Sequence, residues 1–116
     1  MQKKVRRYAS ITGLKTEEIA YYKELHIAVW PGVLKQIKAS HIENYSIYLK
    51  EIDGKYFLFS YFEYTGDDFD ADMKRMAEDP ETQRWWKETD PMQIPLTDAA
   101  AKGQIWSFME EVFHTD

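Results

Sequence analysis

The chain has 116 residues, enough for one hydrophobic core and too few for two ordinary domains, so we expect a single domain over residues 1–116. Its net charge of −5 argues against a protein that binds nucleic acid through the phosphate backbone. The absence of cysteine excludes a disulfide framework and thiolate chemistry.

The first third of the chain predicts one strand and two short helices. Residues 5–14 form an extended-looking run that contains Val, Tyr, Ile and Thr, and a strand is expected there. Thr16 is expected to cap the next helix, in which apolar and aromatic residues recur at helical spacing: Ile19, Tyr22, Leu25 or His26, and Val29. Pro31 should end that helix after Trp30 and begin a second one over residues 31–39.

A hairpin follows in the middle of the chain. Residues 44–51 alternate, with Tyr45, Ile47 and Leu49 on one side of a predicted strand. The dipeptide Asp53-Gly54 is a strong hairpin signal. The returning strand, residues 56–64, has aromatic rings on both faces, so both of its faces must be covered.

The remaining third predicts helices over residues 67–78 and 80–87, a loop over 91–103, and a closing strand over 104–113 with Trp106 and Phe108 on one face. The order βαββαβ is the ferredoxin-like α+β pattern, an antiparallel four-stranded sheet with helices on one face. So small a chain has no second layer for the opposite face. We therefore expect a homodimer in which two sheets pack face to face, although the open face could instead be a ligand site.

Two adjacent indoles, Trp85 and Trp86, stand in a charged and hydrophilic stretch. Adjacent helical residues point about 100° apart, so one indole can join the core while the other serves a ligand. A flat ring beside Arg84 and Lys87, on a chain that also offers His and several Tyr, suits a small polyhydroxylated molecule with one apolar face. This pattern points to a sugar.

Together these motifs resemble the L-rhamnose mutarotase family, small dimeric α+β barrel enzymes that interconvert the α and β anomers of the sugar. The resemblance rests on Tyr22 to His26 with Trp30-Pro31, Asn44-Tyr45-Ser46-Ile47-Tyr48-Leu49, Gln83-Arg84-Trp85-Trp86-Lys87, and Glu111-Val112-Phe113. It implies that His26 is the proton donor. It also implies that four aromatic residues bind the sugar: Tyr22, Tyr45, Trp85 and Trp86.

The chemistry of these residue types agrees with that expectation. Opening a pyranose requires a proton at the ring oxygen and loss of one from the anomeric hydroxyl, and His titrates in the right range. Tyr22 lies four residues before His26, so the two side chains share one helix face. Such proton transfers require no cofactor. His41 and His114 show no metal-ligand spacing with His26, and no metal site is expected.

Several alternatives remain open. An L-fucose mutarotase, a dimeric α+β barrel monooxygenase and a non-catalytic sugar-binding module would use similar residues. Tyr22 could be a core residue, Tyr45 a sheet-packing ring, and one of Trp85 and Trp86 an anchor for its helix. No apolar run reaches the roughly 20 residues of a membrane span, and the N-terminus lacks the apolar stretch of a signal peptide. We therefore expect a cytoplasmic protein with no membrane or nucleic-acid partner.

Overall fold

Strands and helices alternate along the chain in the computed structural model, which describes residues 4–116. Residues 1–3 of the predicted domain lie outside the described residues. The elements are β1 (Arg6–Leu14), α1 (Ile19–Ile27), α2 (Pro31–Ala39), β2 (Ile42–Ile52), β3 (Lys55–Tyr64), α3 (Phe69–Glu78), α4 (Pro80–Thr89), β4 (Gln93–Ile94), α5 (Thr97–Ala101) and β5 (Ser107–Met109). Two short 3-10 turns, Thr16–Glu18 and Asp90–Met92, precede α1 and β4.

The sheet is antiparallel and has the order β2-β3-β1, with β4 and β5 both paired to the remaining edge of β1. Strand β4 pairs with β1 at Gly13 and Leu14, and β5 pairs with it at residues 9–11. The fourth position of the predicted sheet is thus occupied by two short strands. The ferredoxin-like α+β class is confirmed.

The prediction of a continuous closing strand over residues 104–113 was wrong, since only Ser107–Met109 pairs with β1. The prediction of a loop over residues 91–103 was also wrong, because these residues contain β4 and α5. The hydroxyl of Thr12 donates to the carbonyl of Ile105 at 2.8 Å. This side chain thus bonds a backbone acceptor in the segment between the two short strands.

Helix starts are set by prolines and aspartates. Pro31 and Pro80 occupy the first turns of α2 and α4, as expected for a residue without a backbone N–H. The Asp79 carboxylate caps α4 by accepting from the Thr82 backbone N–H at 2.9 Å and from its hydroxyl at 2.8 Å. The predicted cap at Thr16 was wrong. That residue begins a 3-10 turn, and α1 starts at Ile19 without a side-chain cap.

The turn between β2 and β3 is the predicted hairpin. Asp53 and Gly54 have φ of 50° and 82°, the left-handed conformation that a two-residue hairpin turn of this kind requires. A register shift between Glu43 and Ser46 marks a bulge near the start of β2, where Asn44 also has a positive φ of 50°.

Successive residues of β1 and β3 point to opposite faces of the sheet. One face carries Leu14, Ile42, Leu58 and Phe62, which pack with buried residues from outside the sheet. Leu14 and Leu58 form one cluster with Tyr22 and Met92, and Ile42 and Phe62 form another with Met76. The opposite face carries Ile11, Phe57 and Phe59, which stay partly exposed. The helices therefore lie on one face, as predicted, and a cavity lies between them and the sheet.

Candidate active site

A cavity of about 1090 Å³ opens between the helical layer and the sheet. All five predicted site residues line it: Tyr22, His26, Tyr45, Trp85 and Trp86. Three separate elements supply them, because Tyr22 and His26 come from α1, Tyr45 from β2 and the indoles from α4. The fold thus brings together, in one place, aromatic surfaces and a titratable ring that are up to 64 residues apart in the chain.

The imidazole of His26 is held by its own helix. Its Nδ1 lies 2.7 Å from the backbone carbonyl oxygen of Tyr22, one turn earlier. Because a carbonyl only accepts hydrogen bonds, Nδ1 carries the hydrogen, and Nε2 of the neutral ring has a lone pair. No hydrogen-bonding partner for Nε2 occurs among residues 4–116. That nitrogen is the one available for proton exchange with a molecule in the cavity.

Two aromatic rings fix the plane of this imidazole. The Tyr22 ring stacks on it, with centroids 4.2 Å apart and an interplanar angle of 28°. The Trp85 ring meets it edge-on at 5.2 Å. Tyr22 and His26 therefore share one helix face, as predicted, and their rings are in direct contact.

The two tyrosines contribute hydroxyl groups to the cavity wall. Tyr22 is buried, and its burial raises the pKa of the phenol, so the hydroxyl keeps its proton well above neutral pH. Tyr45 follows the bulge of β2 and lies 5.6 Å from the Phe62 ring. Its side chain is exposed to the open cavity, while the surrounding protein raises the pKa of its hydroxyl. Both groups are neutral hydrogen-bonding partners for a ligand.

The adjacent indoles have different surroundings. Trp85 is 7% exposed and makes edge-on contacts with His26 at 5.2 Å and with Trp30 at 5.1 Å. Trp86 is half-buried and packs against the cluster that contains Ile42, Phe62 and Met76. One indole therefore supports the imidazole, and the other forms a separate part of the same cavity wall.

Comparison with known proteins identifies the family of this chain. A model of the L-rhamnose mutarotase family matches residues 7–115. The chain belongs to this family.

Individual relatives agree with this assignment. The L-rhamnose mutarotase of Bacillus subtilis strain 168 is 30% identical over 112 residues, which cover 97% of this chain and 100% of the relative. The L-rhamnose mutarotase of Listeria monocytogenes serotype 4b is 36% identical over 86 residues, 74% of this chain and 78% of the relative. The crystal structure of L-rhamnose mutarotase from Formosa agariphila has the same fold, with a TM-score of 0.71 at 24% identity over 96% of this chain and 99% of that one. By its family the chain is an isomerase.

Asp90 and Gln93 are among the polar residues of this cavity that the sequence reasoning missed. Asp90 lies four residues after Trp86, a spacing that could have placed it on the same helix face. Burial raises the pKa of its carboxyl group. Gln93 follows the end of α4, where helical spacing no longer applies, so no local signal indicates its position.

The other titratable cluster lies away from this cavity. The buried carboxylate of Asp72 accepts hydrogen bonds from the Tyr64 hydroxyl and the Arg75 guanidinium, and it lies 3.0 Å from Nδ1 of His41. These contacts join α3 to the start of β2. Over the described range 4–116, no group of three His, Asp or Glu residues is placed to hold a metal ion. No helix in that range is long and apolar enough to cross a membrane.

Proposed function

We propose that this chain is a cofactor-free mutarotase that interconverts the α and β anomers of a 6-deoxyhexose, with L-rhamnose as the first candidate, and that His26 is its general acid and base. The observation that carries the proposal is the orientation of His26. Its Nδ1 is engaged by the Tyr22 carbonyl and its Nε2 is left for the cavity. The names of the relatives supply the candidate sugar.

The proposed reaction needs only proton transfers. Nε2 of His26 takes the proton of the anomeric hydroxyl, the C1–O5 bond breaks, and the imidazolium returns the proton to the ring oxygen. The open-chain aldehyde then rotates about the C1–C2 bond and closes by the reverse steps on its other face. Positioned acid–base groups of this kind contribute about 10²- to 10⁴-fold. That range suits a reaction that already proceeds slowly in water.

The remaining cavity residues are proposed to bind the sugar. Trp85 and Trp86 offer apolar surface to the C–H face and the 6-methyl group, and the hydroxyls of Tyr22 and Tyr45 meet the sugar hydroxyls. This arrangement explains why a cavity lined mainly by apolar side chains also contains several neutral hydroxyl groups.

The proposal includes a homodimer formed through the sheet face opposite the cavity. Ile11, Phe57 and Phe59 give that face an apolar surface. Arg7, on the same face, pairs with Glu111 at 2.8 Å and directs the C-terminal segment alongside it. In this segment Val112 is 91% and Phe113 is 80% exposed. Contiguous apolar surface of this kind is typical of an interface between subunits.

The test is anomer exchange measured by NMR saturation transfer between anomeric protons, with L-rhamnose, L-fucose and common aldoses, in the presence of EDTA. His26→Ala should lower the exchange rate at least about 10²-fold while sugar binding persists. The matched control is His114→Ala, a histidine near the C-terminus that pairs only with Asp116 among the described residues, and it should leave exchange unchanged.

Four outcomes would contradict parts of the proposal. Exchange that survives His26→Ala would remove His26 from the mechanism. Faster exchange of L-fucose than of L-rhamnose would change the substrate assignment, and loss of exchange in EDTA would overturn the cofactor-free mechanism. Binding of a sugar without exchange would favour a non-catalytic sugar-binding module.

A further inference from the structure

The amide of Gln93 lies in the cavity wall with its oxygen unpaired. The side chain is 6% exposed, and its Oε1 is buried without a hydrogen-bonding partner among residues 4–116. Most buried polar side-chain atoms in proteins have a partner, and leaving one unpaired destabilises the folded state. A methionine of similar shape would avoid this cost. A glutamine at this position is therefore explained better by binding than by folding.

The strand register fixes the face of the sheet from which this amide extends. Gln93 stands directly opposite Leu14 in the antiparallel pair of β4 and β1, and residues paired in this way point to the same face. Leu14 is buried and lines the cavity. The next residue of β4, Ile94, is 51% exposed, as alternation along a strand requires. The Gln93 side chain thus points to the cavity face.

The packing of its neighbours places Gln93 at the end of the cavity that holds the imidazole. Leu14 and Met92, its strand partner and its chain neighbour, belong to one buried cluster with Tyr22. The Tyr22 ring stacks on the ring of His26 with centroids 4.2 Å apart. A sugar held against His26 therefore lies on the same side of the cavity as the strand that carries Gln93.

The backbone at this point is fixed, whereas the amide can turn. The backbone N–H of Lys15 donates to the carbonyl of Met92 at 2.9 Å, and a Cβ on Gly13 would lie only 2.8 Å from the carbonyl oxygen of Ile94. The last torsion of a glutamine side chain is broad, so a rotation about this bond can aim Oε1 at a ligand while the strand stays in place. Strand β4 can therefore offer a hydrogen-bond acceptor at a defined position.

A hydroxyl group is the partner that fits this oxygen. An amide oxygen only accepts hydrogen bonds, and the donors of a neutral sugar are its hydroxyl groups. We propose that Gln93 is a specificity-determining residue whose Oε1 accepts a hydrogen bond from one hydroxyl group of the bound sugar. This inference rests on the mutarotase function proposed above. It adds selection against sugars that lack a hydroxyl at that one position, because such a sugar leaves the buried oxygen unpaired.

The experiment combines Gln93→Met with deoxy analogues of the sugar. KM and kcat for anomer exchange are measured with L-rhamnose and with its 2-deoxy, 3-deoxy and 4-deoxy forms. For L-rhamnose, Gln93→Met should raise KM about tenfold, the effect of one lost hydrogen bond, while kcat changes less than about threefold. For one of the deoxy sugars, the wild type and the variant should have the same KM, because the hydroxyl that Gln93 binds is already gone.

Thermal unfolding and a control variant separate this role from a structural one. The melting temperature of Gln93→Met should stay the same or rise, because the unpaired oxygen is removed. The control Gln83→Met makes the same change at an exposed position of α4, where the amide donates to the Ala77 carbonyl at 2.8 Å. This control should leave KM for L-rhamnose unchanged.

Several results would overturn the inference. A rise in KM by the same factor for L-rhamnose and for all three deoxy sugars would refute a hydrogen bond to one hydroxyl group. A lower melting temperature of Gln93→Met with unchanged KM would show a purely structural role. Absence of anomer exchange in the wild-type protein would refute the proposed function and this inference with it, whereas normal exchange that is insensitive to Gln93→Met would refute this inference alone.

Discussion

The two adjacent tryptophans should contribute unequally to the free energy of unfolding, and matched substitutions can measure the difference. Trp85 makes two edge-on ring contacts, with His26 and Trp30, whereas no such ring pair involves Trp86 among the described residues. Each aromatic pair is worth about 0.5–1.5 kcal/mol beyond the burial of its surface. Trp85→Leu should therefore destabilise the protein by about 1–3 kcal/mol more than Trp86→Leu does. For a domain of this size, about 4 °C per kcal/mol gives a gap of roughly 4–12 °C in melting temperature.

The measurement is thermal unfolding of both variants by far-ultraviolet circular dichroism, which does not depend on tryptophan fluorescence. Protein concentration must be equal, because a dimer unfolds at a temperature that depends on it. Anomer exchange is measured alongside, and Trp86→Leu should raise KM while lowering the melting temperature less than Trp85→Leu does. Equal melting temperatures for the two variants, or a larger loss for Trp86→Leu, would refute the division of roles between the indoles.

Two further predictions concern the partner surface and a helix cap. Phe59→Glu should convert the proposed dimer to a monomer in size-exclusion chromatography with light scattering. The control Ile27→Glu, at an exposed apolar residue at the end of α1, should not. A monomeric wild-type protein would contradict the proposed homodimer. Asp79→Ala should lower the melting temperature at pH 7 because α4 loses its cap. Hydrogen bonds from Thr82 lower the pKa of Asp79, so its stabilisation is complete above the ordinary pKa and disappears as the pH falls through the lowered one. A deficit that persists unchanged in acid would contradict this account.

Local chemistry made much of the fold predictable from the sequence. Pro31 and Pro80 begin helices because proline tolerates the first turn, and Asp53-Gly54 forms the hairpin because both residues accept a positive φ. The four-residue spacing of Tyr22 and His26 predicted that they share one helix face, because residues i and i+4 of a helix lie one above the other. The predicted helix cap at Thr16 was wrong although threonine is a suitable capping residue, because a 3-10 turn lies between Thr16 and α1.

Distant contacts decided the rest of the candidate site. The Thr12 hydroxyl and the Ile105 carbonyl are 93 residues apart, and their hydrogen bond accompanies the division of the closing strand. Gln93 lines the cavity as the first residue of β4, which pairs with β1, and a two-residue strand leaves no periodic pattern to read.

The sequence by itself determined that Tyr22 and His26 share one helix face and that two indoles are adjacent, because both depend on neighbours within one or two turns of chain. Only the tertiary structure decided that Trp85 contacts His26 while Trp86 packs elsewhere, and that Gln93 lines the same cavity. Those relations depend on how separate elements pack, and packing is set by the whole core rather than by any local pattern.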